Sequence, residues 1–159
     1  MECALRLTTG SFGMSSGALL DSDRISRLPL VLVVDDQPEV CHVLSLLAGE
    51  QYQCVEAFSG DAALQVLTDT DVDVIISDLQ MPGMNGIEFL RRAQSVRPNA
   101  ARILISGCSN PDDIVEGINK GHILFFLHKP FDRLAIHAVL QQAAQHSCLL
   151  RDRNRLVEE

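Results

Sequence analysis

Apolar residues in this chain fall into two patterns that alternate from Leu30 onward: short continuous runs, and runs spaced by three and four. Leu30-Val31-Leu32-Val33-Val34 is the first continuous run, followed by Tyr52 to Ala57, Val72 to Ser77, Ala101 to Ser106 and Ile123 to Leu127. Short β-branched runs bounded by turn residues read as buried strands. Between them lie segments of helical period. Pro38 to Gly49 carries Val40, Val43, Leu44 and Leu47, with Pro38 suited to a first turn and Asp36 as its candidate N-cap. Ser59 to Leu67 is a second helix with Ser59 as its cap, and Asn85 to Val96 a third, ending near Pro98. Asn110 to Asn119 is a fourth, capped by Asn110 and followed by Gly121. A fifth runs from Phe131 onward.

Strands that are apolar on both faces and alternate with helices predict a parallel sheet covered on both sides. Right-handed crossovers make that a three-layer α/β/α sandwich. A flavodoxin-like strand order, 2-1-3-4-5, is the expected one, although the pattern alone leaves the order open. The Gly/Ser/Thr-rich residues 1–28 lack periodicity and read as a flexible extension. Residues 29–146 form the domain, and 147–159 form a C-terminal helical extension.

Composition narrows the function classes. The 159 residues suffice for one domain with a real core. A net charge of −8 argues against nucleic-acid binding by this segment, which needs a basic face. No apolar stretch is long enough to span a bilayer. The first residues, Met1-Glu2-Cys3-Ala4-Leu5-Arg6-Leu7, lack the features of a signal peptide, so a cytoplasmic location is expected. The five cysteines are scattered and unpaired in sequence, as thiols in a reducing compartment are. Thr8-Thr9-Gly10-Ser11 is a phosphate-loop look-alike without the Lys that such a loop requires.

The chemistry-bearing residues fall at the C-terminal ends of the predicted strands, hence on one edge of the sheet. Asp35 and Asp36 follow the first strand, Asp78 the third, Ser106 the fourth, and Lys129-Pro130 the fifth. The crevice of this fold opens between strands one and three, so the acidic pair would face Asp78 across it. Three close carboxylates repel unless a cation intervenes. Mg²⁺ suits them, because it takes hard oxygen ligands and keeps waters that a phosphate displaces. Lys129 adds an ammonium and Ser106 a hydroxyl. This grouping is a receptor for a phosphoryl group, with the Asp78 carboxylate as nucleophile and an aspartyl phosphate as product.

The same residues resemble the receiver domain of two-component response regulators, from about Leu30 to His146. Asp35-Asp36 matches the family's acidic pair. Asp78-Leu79-Gln80-Met81-Pro82-Gly83-Met84-Asn85-Gly86 matches the phosphoacceptor loop D-x-x-M-P-x-M-x-G. Ser106-Gly107 and Phe126-Leu127-His128-Lys129-Pro130-Phe131 match its hydroxyl and Lys-Pro motifs, with spacings like those of family members. The resemblance implies that Asp78 is the phosphoacceptor. It implies that Asp36, Asp78 and the Gln80 backbone carbonyl hold Mg²⁺, with Asp35 acting largely through water. Ser106 and Lys129 would contact the phosphoryl group, and Phe126 would be the rotameric switch that follows Ser106. Gln80 and Cys108 stand where family members tune dephosphorylation, and the Lys129–Pro130 bond would be cis. The partners implied are a sensor histidine kinase or phosphotransfer protein and an output domain C-terminal to this segment. Ile118-Asn119-Lys120-Gly121-His122-Ile123, leading into Phe126 and Lys129-Pro130-Phe131-Asp132, resembles a narrower subgroup. Its receivers are often fused to HD-type phosphodiesterases, diguanylate cyclases or hydrogenase-type activators.

Beyond His146 the helical pattern continues with good helix formers. Ile136, Leu140, Ala143, Ser147, Leu150, Asn154 and Val157 form a seam of heptad period. A polar Asn in an a-type position can fix register and oligomeric state, so the seam suggests a signalling helix and a homodimer. Two competing readings remain. A Mg²⁺-dependent phosphatase of the haloacid-dehalogenase type also uses a strand-end Asp, but it needs a second Asp where this chain has Gln80. A degenerate receiver that only docks partners would not need Asp36, Asp78, Ser106 and Lys129 together.

Overall fold

The computed structural model describes residues 27–107, 110–120 and 122–158. The readings of residues 1–26, Cys108 and Gly121 lie outside the described residues.

Five strands form one parallel sheet in the order β2-β1-β3-β4-β5. They are β1 (Leu30–Val34), β2 (Gln53–Ala57), β3 (Val74–Asp78), β4 (Ala101–Ser106) and β5 (Phe125–His128). The helices are α1 (Pro38–Ala48), α2 (Gly60–Asp69), α3 (Gly86–Val96), α4 (Pro111–Lys120) and α5 (Arg133–Glu158), with a 3₁₀ turn at Gly49–Gln51. This is the flavodoxin-like α/β/α sandwich that the alternation predicted.

Successive strand residues point to opposite faces, which sorts the core into two layers. Leu32, Val34, Ile75 and Leu104 meet Ala63 and Leu67 of α2 and Ile87, Leu90 and Ala93 of α3. Val31, Val33, Val74, Ile76, Ile103 and Ile105 meet Cys41, Leu44 and Ala48 of α1 and Ile136, Leu140 and Ala143 of α5. β1 is therefore apolar throughout, and β3 and β4 are apolar apart from Arg102 and the Ser77, Asp78 and Ser106 of their C-terminal ends, because both of their faces are covered.

Helix starts follow local chemistry. Ser59 Oγ accepts from the Ala62 N–H at α2, and Asn85 Oδ1 from the Glu88 N–H at α3. At α5 the Asp132 carboxylate accepts from the Ala135 N–H, so the helix starts two residues after the predicted Phe131. The reading of Asp36 as the α1 cap is corrected. Gln37 occupies the N-cap without a side-chain hydrogen bond, and the Asp35 carboxylate, not that of Asp36, accepts from the Gln37 N–H at 2.9 Å.

The heptad seam is also reassigned. Ile136, Leu140, Ala143 and Ser147 are fully or almost fully buried against the chain's own sheet and loops. Ser147 Oγ donates to the Asn99 carbonyl and Asn154 Nδ2 to Asn99 Oδ1. The seam from Ile136 to Ser147 thus packs within one molecule and is not open to a second copy.

Candidate functional site

The C-terminal ends of β1, β3 and β5 bring Asp35, Asp36, Asp78 and Lys129 together. Val34 pairs with Ser77 in register, so Asp35, just past β1, stands beside Asp78 at the end of β3. One carboxylate oxygen from each of Asp35, Asp36 and Asp78 lies within 4.8 Å of the others. Asp35 and Asp78 are buried, at 2% and 8% exposure. Lys129 Nζ reaches into the cluster, 3.1 Å from Asp78 Oδ1 and 3.6 Å from Asp35 Oδ2. The Lys129–Pro130 peptide is cis, as expected from the sequence.

Burial is the first cause that raises the Asp78 carboxyl above its ordinary range. The hydrogen bond and charge of Lys129 pull it back, while Asp36 pushes it further up. Asp35 is raised for the same leading reason, opposed by the Gln37 N–H and raised again by Asp78. One ammonium thus stands against three carboxylates. The set offers hard oxygen donors, with no nitrogen or sulfur atom among the ligand atoms, and it carries more negative charge than Lys129 neutralises. Such a set fits a small divalent cation.

Ser106 closes β4 and is almost fully buried. Its carbonyl accepts from the Lys129 N–H at 2.9 Å, which ties the hydroxyl-bearing strand end to the lysine-bearing one. Phe126 pairs with Leu104 in register and packs, half-buried, on the α2/α3 layer. Gln80 is exposed on the loop after Asp78. It lines an open cavity of about 500 Å³ with Met81, Pro82, Asn85, Ile87 and Glu116.

The loop from Asp78 to Gly86 is built on two close approaches. A Cβ at Gly86 would stand 2.1 Å from the Asp78 carbonyl oxygen, so only glycine lets α3 begin directly over the phosphoacceptor candidate. The Gly86 N–H donates to the Leu79 carbonyl and closes the loop. Met84 packs against Gly60, where a Cβ would fall 2.8 Å from its sulfur.

Cys41 is a site neighbour that the reading of the motifs passes over. Its buried thiol lies 3.5 Å from the Asp35 carbonyl and 3.8 Å from those of Val33 and Ala57, joining the ends of β1 and β2 beneath the acidic pair. Burial, with Asp35 nearby, pushes this thiol up to about 12, so it stays protonated and inert. A signal was present in its position one turn into α1, on the face that meets the sheet.

Comparisons with known proteins agree on the family. The family model described as the response regulator receiver domain matches residues 31–141. The hydrogenase transcriptional regulatory protein HoxA of Cupriavidus necator is 33% identical over 126 residues, covering 79% of this chain and 26% of that protein. The transcriptional regulatory protein GlrR of Escherichia coli is 35% identical over 118 residues, covering 74% of this chain and 26% of that protein. The chain thus spans about a quarter of the length of these curated relatives. Among solved structures, the signal receiver domain of an HD domain-containing protein from Pseudomonas fluorescens superposes with a TM-score of 0.72 at 34% identity. That match covers 76% of this chain and 98% of the other.

Proposed function

The chain belongs to the response regulator receiver domain family, and from that premise we propose that it is a phosphorylatable signalling switch whose acceptor is Asp78. The observation that carries this reading is Lys129 Nζ, set 3.1 Å from the Asp78 carboxylate inside a cluster with more carboxylates than ammonium groups. Such a pocket is poised for a further cation and for a phosphoryl group.

An Asp78 carboxylate oxygen would attack phosphorus, and a P–O bond to Asp78 would form as the bond to the donor's leaving group breaks. The leaving group keeps the bonding electron pair, as acetate does from acetyl phosphate, or as the imidazole of a phosphohistidine does when its other ring nitrogen carries a proton, so that it departs as neutral histidine. Lys129 stabilises charge on the transferring oxygens, and the Ser106 hydroxyl donates to one of them. Asp35, Asp36 and Asp78, with the Gln80 backbone carbonyl, would hold Mg²⁺. The ion supplies charge neutralisation for the in-line displacement. Phe126 follows Ser106 inward and changes the surface it leaves. Gln80 and Cys108 follow Asp78 and Ser106 by two residues, the sequence positions at which family members tune dephosphorylation.

The donor would be a histidine kinase or phosphotransfer protein. An open groove of about 580 Å³ beside the site, lined by Val40, Val43, Pro130 and Phe131 with Lys129 at its edge, suits docking of a helical donor. The output would be a domain C-terminal to this segment, as in full-length regulators. No described helix is long and apolar enough to cross a membrane. Nothing in the acidic composition favours nucleic-acid contact by this segment.

Incubation with acetyl phosphate and Mg²⁺, followed by intact mass, tests the reading. A single phosphoryl adduct is expected, absent from Asp78→Asn and from samples with chelator. Failure to form an adduct with any small-molecule or histidine donor would leave a docking module instead.

A further inference from the structure

α5 is 26 residues long, roughly 39 Å at 1.5 Å per residue, while a five-residue strand spans about 17 Å. The helix therefore runs well past the sheet. Residues 147–155 pass the edge opposite the acidic cluster. A helical stretch of that length is marginal in water without tertiary contacts. Contacts of Ser147, Arg151 and Asn154 help hold it, and they converge on two loops.

The chief contact is Arg151. Its Nη1 and Nη2 donate to the two carboxylate oxygens of Asp71 at 2.7 and 2.8 Å, a bidentate pair. Nη2 also donates to the Val72 carbonyl at 2.9 Å. Nε stands 3.4 Å from Asp73 Oδ1, an ion pair without hydrogen-bond geometry. The side chain is only 14% exposed, so this pair is better shielded than an ordinary surface salt bridge. The hydrogen bond to Asp71 is the first cause that raises the guanidinium above its usual range. The second and third contacts are Ser147 and Asn154, both bonded to Asn99.

Asp71, Val72 and Asp73 lead into β3, and Asn99 leads into β4. Asp73 is itself built in, since its second oxygen accepts from the Leu30 N–H at the start of β1. The outgoing helix is thus fastened to the N-terminal ends of the two strands whose C-terminal ends present Asp78 and Ser106.

We propose that Arg151 is a clasp that orders residues 147–155 as a rigid continuation of the domain, through intramolecular contacts and not through a helical partner. The clasp sets the direction in which α5 leaves the sheet. It also gives the polar positions of the heptad seam a use inside one molecule.

Hydrogen exchange read by mass spectrometry on the full chain tests this. In the wild type, amides 148–155 exchange slowly, and equally so across a wide range of protein concentration. In Arg151→Ala they exchange faster by roughly tenfold or more, the fold-change that loss of a charge-assisted hydrogen bond brings. Amides 133–143 keep their protection, because they rest on the sheet. Asp71→Asn reproduces the effect from the other partner, and Arg151→Lys falls between, since an ammonium cannot make the bidentate pair. Unchanged protection of 148–155 in both Arg151→Ala and Asp71→Asn would overturn the proposal. So would protection that rises with protein concentration, which would make a second copy the source of order. Loss spread evenly along all of α5 would overturn it too.

Discussion

Asp78→Asn is expected to make the metal-free protein more stable at pH 7, although it removes the acceptor. Asp78 has two like charges with oxygens inside 4.8 Å and one opposite charge at 3.1 Å. The attraction of Lys129 offsets about one repulsion, which leaves roughly one like-charge pair uncompensated. Unit charges at this separation interact by about 3–4 kcal/mol at an effective dielectric near 20, and solvent on the accessible side reduces that. A gain of about 1–3 kcal/mol follows, or a Tm rise of about 3–8 °C for a chain of this size. The pH dependence has a definite sign. A carboxyl raised above its unfolded value binds its proton more tightly when folded. It therefore favours folding below the unfolded value, about 3.8, and that benefit is lost as pH rises through the folded value. The variant's advantage should thus be large at pH 7 and vanish toward pH 4. Thermal melts in chelator at low salt measure it. A Tm for Asp78→Asn equal to or below wild type at pH 7 would refute the electrostatic reasoning.

Mg²⁺ should raise the wild-type Tm by mass action, about 2.7 kcal/mol when free ion is a hundredfold above its dissociation constant, and raise that of Asp36→Asn far less at the same concentration. Gly86→Ala should lower the urea midpoint, costing about 3 kcal/mol or more, because the new Cβ meets backbone oxygen and not a side chain that can move. Asn85→Ala should cost about 1 kcal/mol through loss of the α3 cap, with the m-value unchanged.

The alternation of strands and helices was legible because buried parallel strands have no polar face to confuse the period. Their edges were less so, for a physical reason. Val72 is fully buried and apolar, yet β3 begins at Val74, since Val72 packs in the core before ladder pairing starts. Tyr52 and Ile123 are likewise apolar and continuous with the runs of β2 and β5, although each precedes its strand. The acidic cluster was legible because strand ends place consecutive motifs on one edge. Which aspartate braces α1 was not, because Asp35 and Asp36 are chemically identical and only the backbone turn decides between them.

The heptad seam shows a limit that periodicity cannot pass. A period of three and four states that one side of a helix is covered, and it does not say by what. Ile136, Leu140 and Ala143 are covered by the sheet, and the same stripe continues to Ser147 and Asn154, which meet a loop residue, Asn99. Polar members of a seam suggest register control when the partner is another helix. Here they are polar because the loop beneath them presents two Asn99 oxygens, the main-chain carbonyl and Oδ1, that accept from Ser147 and Asn154. Arg151, adjacent to the seam, carries the discriminating information, because a buried arginine needs acidic partners and the only question is whose. Asp71 and Asp73 of the same chain answer it, and that ties the outgoing helix to the strands of the acidic cluster more firmly than any feature of its own sequence.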